Sequence, residues 1–110
     1  MIYTISELKE IFEELPLPVR YQVFDAKPPL PFALWRFIES NDMYADDVNY
    51  TKIRVLELTI VSDKSEDEIE AAAEQLLTDH GLTYSVRFTY LNDDRLFETT
   101  YTTEVILENG

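Results

Sequence analysis

Three carboxylates fall within six residues, at Asp42, Asp46 and Asp47. Oxygen donors this close together can hold a hard cation such as calcium. The spacing is not that of an EF-hand loop, and the glycine that such a loop needs at its turn is missing. The plainer reading is a solvated acidic loop whose charges discourage strand pairing. We assign no metal to it. His80 is the sole histidine. It falls in the last turn of a predicted helix, where a partly positive imidazole suits the helix dipole. It has no evident nucleophile partner, and no GxSxG elbow occurs. With 22 Asp and Glu residues, carboxylate pairs suited to glycoside cleavage arise by chance. No catalytic residue and no cofactor site is assigned.

Aromatic residues are the second feature. Trp35, Phe37, Tyr44, Tyr50, Tyr84, Phe88, Tyr90, Phe97 and Tyr101 crowd the predicted strands. Core and cross-strand packing explains most of them. Any that lie on a second sheet face, near Arg36, Arg54 or Arg87, would suit interface anchors. Stacking on nucleic acid is the weaker version, because it needs a basic groove.

These side chains must be positioned by a small fold. The chain of 110 residues is long enough for one domain, residues 1–110, and too short for two. Its apolar share of 45% can build a core. Gly81 and Gly110 are the only glycines, so no P-loop or dinucleotide fingerprint can be written. There is no cysteine, which removes disulfides, thiolate chemistry and Cys-based metal sites and fits a reducing compartment. The net charge of −13 repels phosphate backbones, so specific nucleic-acid binding is not expected. No apolar run reaches membrane-spanning length, and MIYTISELKE reads as no signal peptide.

Residues 4–15 predict an amphipathic helix with Ile5, Leu8, Ile11, Phe12 and Leu15 on one face. Its start is marked by Thr4 with Glu7, or by Ser6 with Lys9, and Pro16 and Pro18 stop it. Val19–Phe24 alternates as a half-buried strand, with Val19, Tyr21 and Val23 on one side. Pro28, Pro29 and Pro31 make a stiff connection. A long hairpin follows over 31–61, with Asn41 to Asn49 as its acidic loop. Both of its strands carry apolar groups on both faces. Ala33, Trp35, Phe37 and Glu39 are expected on one side, and Phe32, Leu34 and Ile38 on the other. Ser65 with Glu68 predicts the cap of a second helix, whose stripe is Ile69, Ala72, Ala73, Leu76 and Leu77. Gly81 is placed to end it. Two strands, 84–90 and about 96–107, close the chain. The expected fold is α+β, a mainly antiparallel β-sheet with two helices packed on it, in the order α-β-β-β-α-β-β.

Pro31-Phe32-Ala33-Leu34-Trp35, then Tyr44-Ala45-Asp46-Asp47-Val48-Asn49-Tyr50, then Leu56-Glu57-Leu58-Thr59 resembles small proteins of phage and prophage structural cassettes of Gram-positive bacteria. The element order is similar to that of tail terminator, or tail-completion, proteins, and neighbouring head–tail joining proteins fit equally well. The likeness covers about residues 4–107. It implies a non-enzymatic virion assembly protein that forms a homo-oligomeric ring, typically a hexamer. The implied partners are tail-tube and head–tail connector proteins, with no specific nucleic acid and no membrane. The implied location is the host cytoplasm during assembly and then the virion tail. The expected interface residues are Trp35, Arg36, Tyr44, Asp46, Asp47 and Tyr50. The competing classes are an acidic interaction module that binds and regulates a host protein, and a small hydrolase or metal-dependent enzyme with acids converging in a pocket.

Overall fold

The computed structural model describes residues 2–23, 26, 28–44, 50–65 and 67–108, and at 43, 44, 50 and 51 the backbone alone. In chain order the elements are β1 (Ile2–Tyr3), α1 (Ile5–Phe12), β2 (Val19–Tyr21), β3 (Phe32–Ser40), β4 (Met43–Tyr44), β5 (Tyr50–Ser62), α2 (Asp67–Asp79), β6 (Tyr84–Leu91) and β7 (Leu96–Leu107). The class is α+β, as expected. The sheet is mixed: mainly antiparallel, as expected, but not purely so. Its order is β1-β7-β5-β3-β2, with β4 also on β5 and β6 also on β7. The long pairings are antiparallel, whereas β1 runs parallel to β7 and β2 parallel to β3. The proline-rich segment accounts for the second parallel pair. Gln22 takes a left-handed backbone (φ 69°) and ends β2, and the stiff run to Pro31 replaces the tight turn that a hairpin needs. The chain therefore returns to start β3 beside the start of β2. Strand β2 is also shorter than expected, and Val23 is exposed.

Helix α1 begins with the capping box read from Thr4 and Glu7. The Glu7 amide donates to Thr4 Oγ1 at 3.1 Å, and the Thr4 amide donates back to Glu7 Oε1 at 3.0 Å. The helix ends at Phe12, before the prolines, and a looser turn carries Leu15 into the core. Ile5 stays 40% exposed, so the buried face is Leu8, Ile11 and Phe12. At α2, Ile69, Ala73 and Leu77 are buried. Gly81, at φ 72°, closes it: Leu82 N donates to the Leu77 carbonyl and Gly81 N to the Thr78 carbonyl, the paired bonds of a Schellman motif. Part of the expected start of α2 lies outside the described residues; Ser65 Oγ donates to Asp67 Oδ1 at 3.0 Å.

Both helices cover one side of the sheet. The register places Trp35, Leu58, Tyr101 and Val86 in one row across four strands, with Ala33–Ile60–Thr99–Phe88 and Phe37–Leu56–Thr103–Tyr84 beside it. The core lies between these rows and the helices, and Phe12 and Leu8 of α1 are fully buried. A register shift between Phe37 and Glu39 then turns the end of β3. Glu39 falls opposite Val55, on the face away from the helices, rather than beside Trp35. The helices are short for this sheet. The 13 residues of α2 reach about 20 Å, whereas the 13 residues of β5 reach about 43 Å. The molecule measures 51 × 27 × 26 Å, and strand ends project beyond the helical cover.

Candidate interaction surface

The expected contact residues separate in the fold. Trp35 is 1% exposed, stacked among Phe12, Tyr21 and Phe37 with ring centroids 5.0, 4.4 and 5.8 Å away. Its indole is the centre of the core and offers a neighbour no surface, because α1 closes over the helix side of β3 and Tyr21 of the adjacent β2 packs against the ring. Arg36, the next residue, points the other way. It is exposed and faces Glu57 at 3.4 Å. Tyr44 and Tyr50 are backbone partners where β4 meets β5. Asp46 and Asp47 lie outside the described residues.

Asp42 has a structural task. After β3 the chain kinks at Asn41 and Asp42 before β4 resumes pairing with β5. At the kink the Asn41 amide donates to the Ile53 carbonyl at 2.8 Å. The Ile53 amide donates to Asp42 Oδ1 at 3.1 Å, and the Arg54 guanidinium binds the same oxygen. The carboxylate thus stands in for a missing strand carbonyl and neutralises Arg54. Among the described residues no group of three metal-ligating side chains forms.

His80 follows the last turn of α2. Its Nε2 is 3.9 Å from Glu14 of the α1 exit, and its carbonyl accepts from Tyr3 Oη at 2.6 Å. These contacts tie β1 and α1 to the end of α2. Burial pushes the Tyr3 hydroxyl pKa up, and the Glu7 carboxylate adds to the effect.

A second polar cluster joins α2 to β7. Tyr101 Oη donates to Glu74 Oε2 at 2.9 Å, and Thr99 Oγ1 donates to Glu70 Oε2 at 2.9 Å. Burial raises the Tyr101 pKa far above its ordinary value, and the Glu74 and Glu70 carboxylates push it the same way. The phenol is held neutral as a donor, which suits a clamp rather than a base.

The face away from the helices mixes signs. Arg36, Glu57, Arg87 and Glu98 surround Leu34, Thr59, Val61 and Thr100 in a shallow depression of about 340 Å³. Thr59 and Thr100 touch through their hydroxyls at 3.4 Å. Charges of both signs rim a floor shared by Leu34, Val61 and the two threonines, so this face is a better recognition surface than a catalytic one.

The β6–β7 tip carries the largest exposed apolar group. Val86, Phe88, Tyr90 and Phe97 are 39, 64, 46 and 39% exposed. They lie on the helix side of the sheet, Val86 beside Tyr101 on the open flank and Phe88, Tyr90 and Phe97 by the start of α2, where Tyr90 and Phe97 stack at 4.8 Å. A cleft of about 410 Å³ separates them from Ser65, Asp67 and Glu70. Sequence reasoning counted these aromatics with the core. The signal that separates them is length: one 13-residue helix cannot cover the whole of two strands of 8 and 12 residues that it crosses. The tip sits at the opposite end of the sheet from the β4–β5 tip, since Ser62 pairs with Phe97 and Lys52 with Leu107.

The chain matches no protein-family model and no curated protein. No helix among the described residues is long and apolar enough to cross a membrane.

Proposed function

We propose that the chain is a non-enzymatic virion assembly protein of the tail-terminator or head–tail joining kind, which oligomerises on the phage tail. One observation carries the reading: the long sheet ends in two different strand pairs, β4–β5 at one end and the aromatic β6–β7 at the other. Unlike surfaces at opposite ends suit head-to-tail contacts, and such contacts close into rings when the rotation permits. The α+β class and the sequence likeness over residues 4–107 support the same assignment. The charge of −13 suits a ring through which DNA slides without sticking. Arg36, Tyr44 and Tyr50 remain the expected contact positions, together with Asp46 and Asp47.

The test is negative-stain microscopy of the chain mixed with purified tail-tube protein, with sedimentation of the chain alone. Rings capping tube ends are the expected result. A strict monomer at high concentration that also ignores the tube protein would overturn the reading.

One observation favours a second reading, an acidic module that binds a host protein. The helices concentrate acids: Glu7, Glu10, Glu13 and Glu14 on and after α1, and Asp67, Glu68, Glu70, Glu74 and Asp79 on α2, with Lys9 the one lysine or arginine within either helix. That reading predicts a soluble complex of fixed stoichiometry and no ring.

A further inference from the structure

Strand β6 is an edge guarded by a single charge, Arg87. Its eight residues pair with β7 in continuous register from Tyr84↔Thr103 to Leu91↔Leu96, with no bulge. Among the described residues no strand pairs with its other side. Edge strands are normally protected by lysine, proline, inward charge or a bulge. Tyr-Ser-Val-Arg-Phe-Thr-Tyr-Leu has one charged side chain, Arg87, but no lysine, proline or bulge, and no acid either, in a chain with 22 acids. Its side chains from Ser85 to Tyr90 are exposed on both faces. The outer row of peptide groups is a template for another strand.

The surroundings select what that strand carries. On the helix side, Phe88 and Tyr90 lie across the cleft from Asp67 and Glu70. A cation there meets aromatic faces and two carboxylates together. On the other side, Arg87 stands one residue from Phe88 and faces the opposite way. Glu98 shares that face with Arg87, so it is mixed in sign, and the incoming strand finds its cation-favouring positions on the helix side, at the two-residue period of a strand. The β6 strand of a second copy fits this edge poorly, because it supplies a single cation, Arg87, rather than one at every second position.

We propose that β6 takes up an extended segment of a partner protein with Lys or Arg at alternate positions, the cations lying over Phe88 and Tyr90 toward Asp67 and Glu70. The segment adds as a strand, so backbone bonds supply affinity and the alternation supplies specificity. The proposal goes beyond ring assembly and does not rest on it. Ring contacts between copies are placed at the strand tips, whereas this site is the open backbone edge of β6 and takes a different chain.

The test is an NMR titration of the full chain with two blocked eight-residue peptides, one alternating lysine with threonine and one alternating glutamate with threonine. The lysine peptide is expected to shift the amides of Tyr84–Leu91, Phe97 and Asp67–Glu70 saturably. Raising salt from about 0.05 to about 0.5 M weakens that binding by about tenfold. Phe88→Thr keeps strand propensity and removes a ring that is already exposed, so it weakens binding roughly tenfold with the rest of the spectrum unchanged. Asp67→Asn with Glu70→Gln keeps the acceptor for Thr99 and removes the charge, and it abolishes the preference for lysine over glutamate. No shift at millimolar lysine peptide overturns the proposal, as does an equal response to both peptides. Shifts at β6 that grow with protein concentration alone overturn it in favour of a second copy. Rings that form without lysine-peptide binding overturn this proposal alone, and lysine-peptide binding without rings or tube capping overturns the tail reading alone.

Discussion

The Tyr101 hydroxyl donates to Glu74 at 2.9 Å and so fastens the middle of β7 to the middle of α2. The ring itself is 1% exposed and meets Tyr84 edge-on at 5.5 Å. One side chain therefore fills the core beneath the helix and fixes where the helix lies along the strand. Its position leaves the β6–β7 tip uncovered, because α2 begins short of Phe97. The clamp and the exposed aromatic tip are consequences of the same placement.

Tyr101→Phe keeps the ring and deletes the donor. Loss of a hydrogen bond to a charged acceptor costs about 1.5–3 kcal/mol, measured by urea denaturation. The pH dependence gives an independent check. The folded-state pKa of Tyr101 lies above its unfolded value near 10. Between the two values the folded chain holds a proton that the unfolded chain has lost, so stability is complete below pH 10 and declines as pH rises beyond it. Tyr3 is raised as well and adds a decline of the same sign. The variant should show a shallower alkaline loss than the wild type, with the Tyr3 share remaining.

What could be read from the sequence followed from local rules. The Thr4–Glu7 capping box, the Ile69–Ala73–Leu77 stripe and Gly81 at the end of α2 all appear where spacing placed them, because each depends on neighbours within a few residues. The alternation of β3 gave Ala33, Trp35 and Phe37 a shared face. What was not legible depends on contacts far apart in sequence. Parallel pairing of β2 with β3 depends on the path of the proline segment. The turn of Glu39 onto the other face depends on a bulge that alternation cannot show. Trp35 and Arg36 were grouped as contact residues, yet adjacent residues on a strand face opposite ways; one became core and the other surface. The aromatic tip was hidden because Phe88 and Tyr101 look alike in sequence, and only the extent of α2 separates them.

Asp42 offers a test of the kink between β3 and β4. Asp42→Asn keeps an oxygen to accept from the Ile53 amide but loses the charge opposite Arg54. Asp42→Ala loses both. The alanine variant should be the less stable by about 1–3 kcal/mol, the cost of leaving a partly buried donor unpaired. Hydrogen exchange at the Ile53 amide reads the effect directly: slow in the wild type, intermediate in Asp42→Asn and fast in Asp42→Ala. Equal rates in the two variants would mean that the carboxylate serves only Arg54.

Arg36 should behave differently. Its guanidinium is 61% exposed, and an exposed ion pair with Glu57 contributes roughly 0–1 kcal/mol. Arg36→Ala should leave the thermal midpoint almost unchanged. Any change in sedimentation behaviour or tube capping would then report a lost contact rather than a damaged fold. A clear drop in stability would instead assign Arg36 a packing role across Leu34 and Thr59.

Trp35 is the converse case. It is the sole tryptophan and lies in a cage of Phe12, Tyr21 and Phe37. Its emission should be blue-shifted in the native state and move to the red on denaturation. Trp35→Ala removes the largest buried side chain at the point where α1, β2 and β3 meet, at a cost of about 3–5 kcal/mol. That is a large share of the roughly 5–15 kcal/mol that holds a typical domain folded. Trp35→Phe keeps much of the aromatic packing and should lose less, as circular-dichroism melts of the two variants will show. An interface anchor would give the reverse pattern: a monomer of unchanged stability that no longer assembles. The depth of Trp35 requires the monomer itself to weaken first, and any assembly defect in Trp35→Ala then follows from the loss of the core.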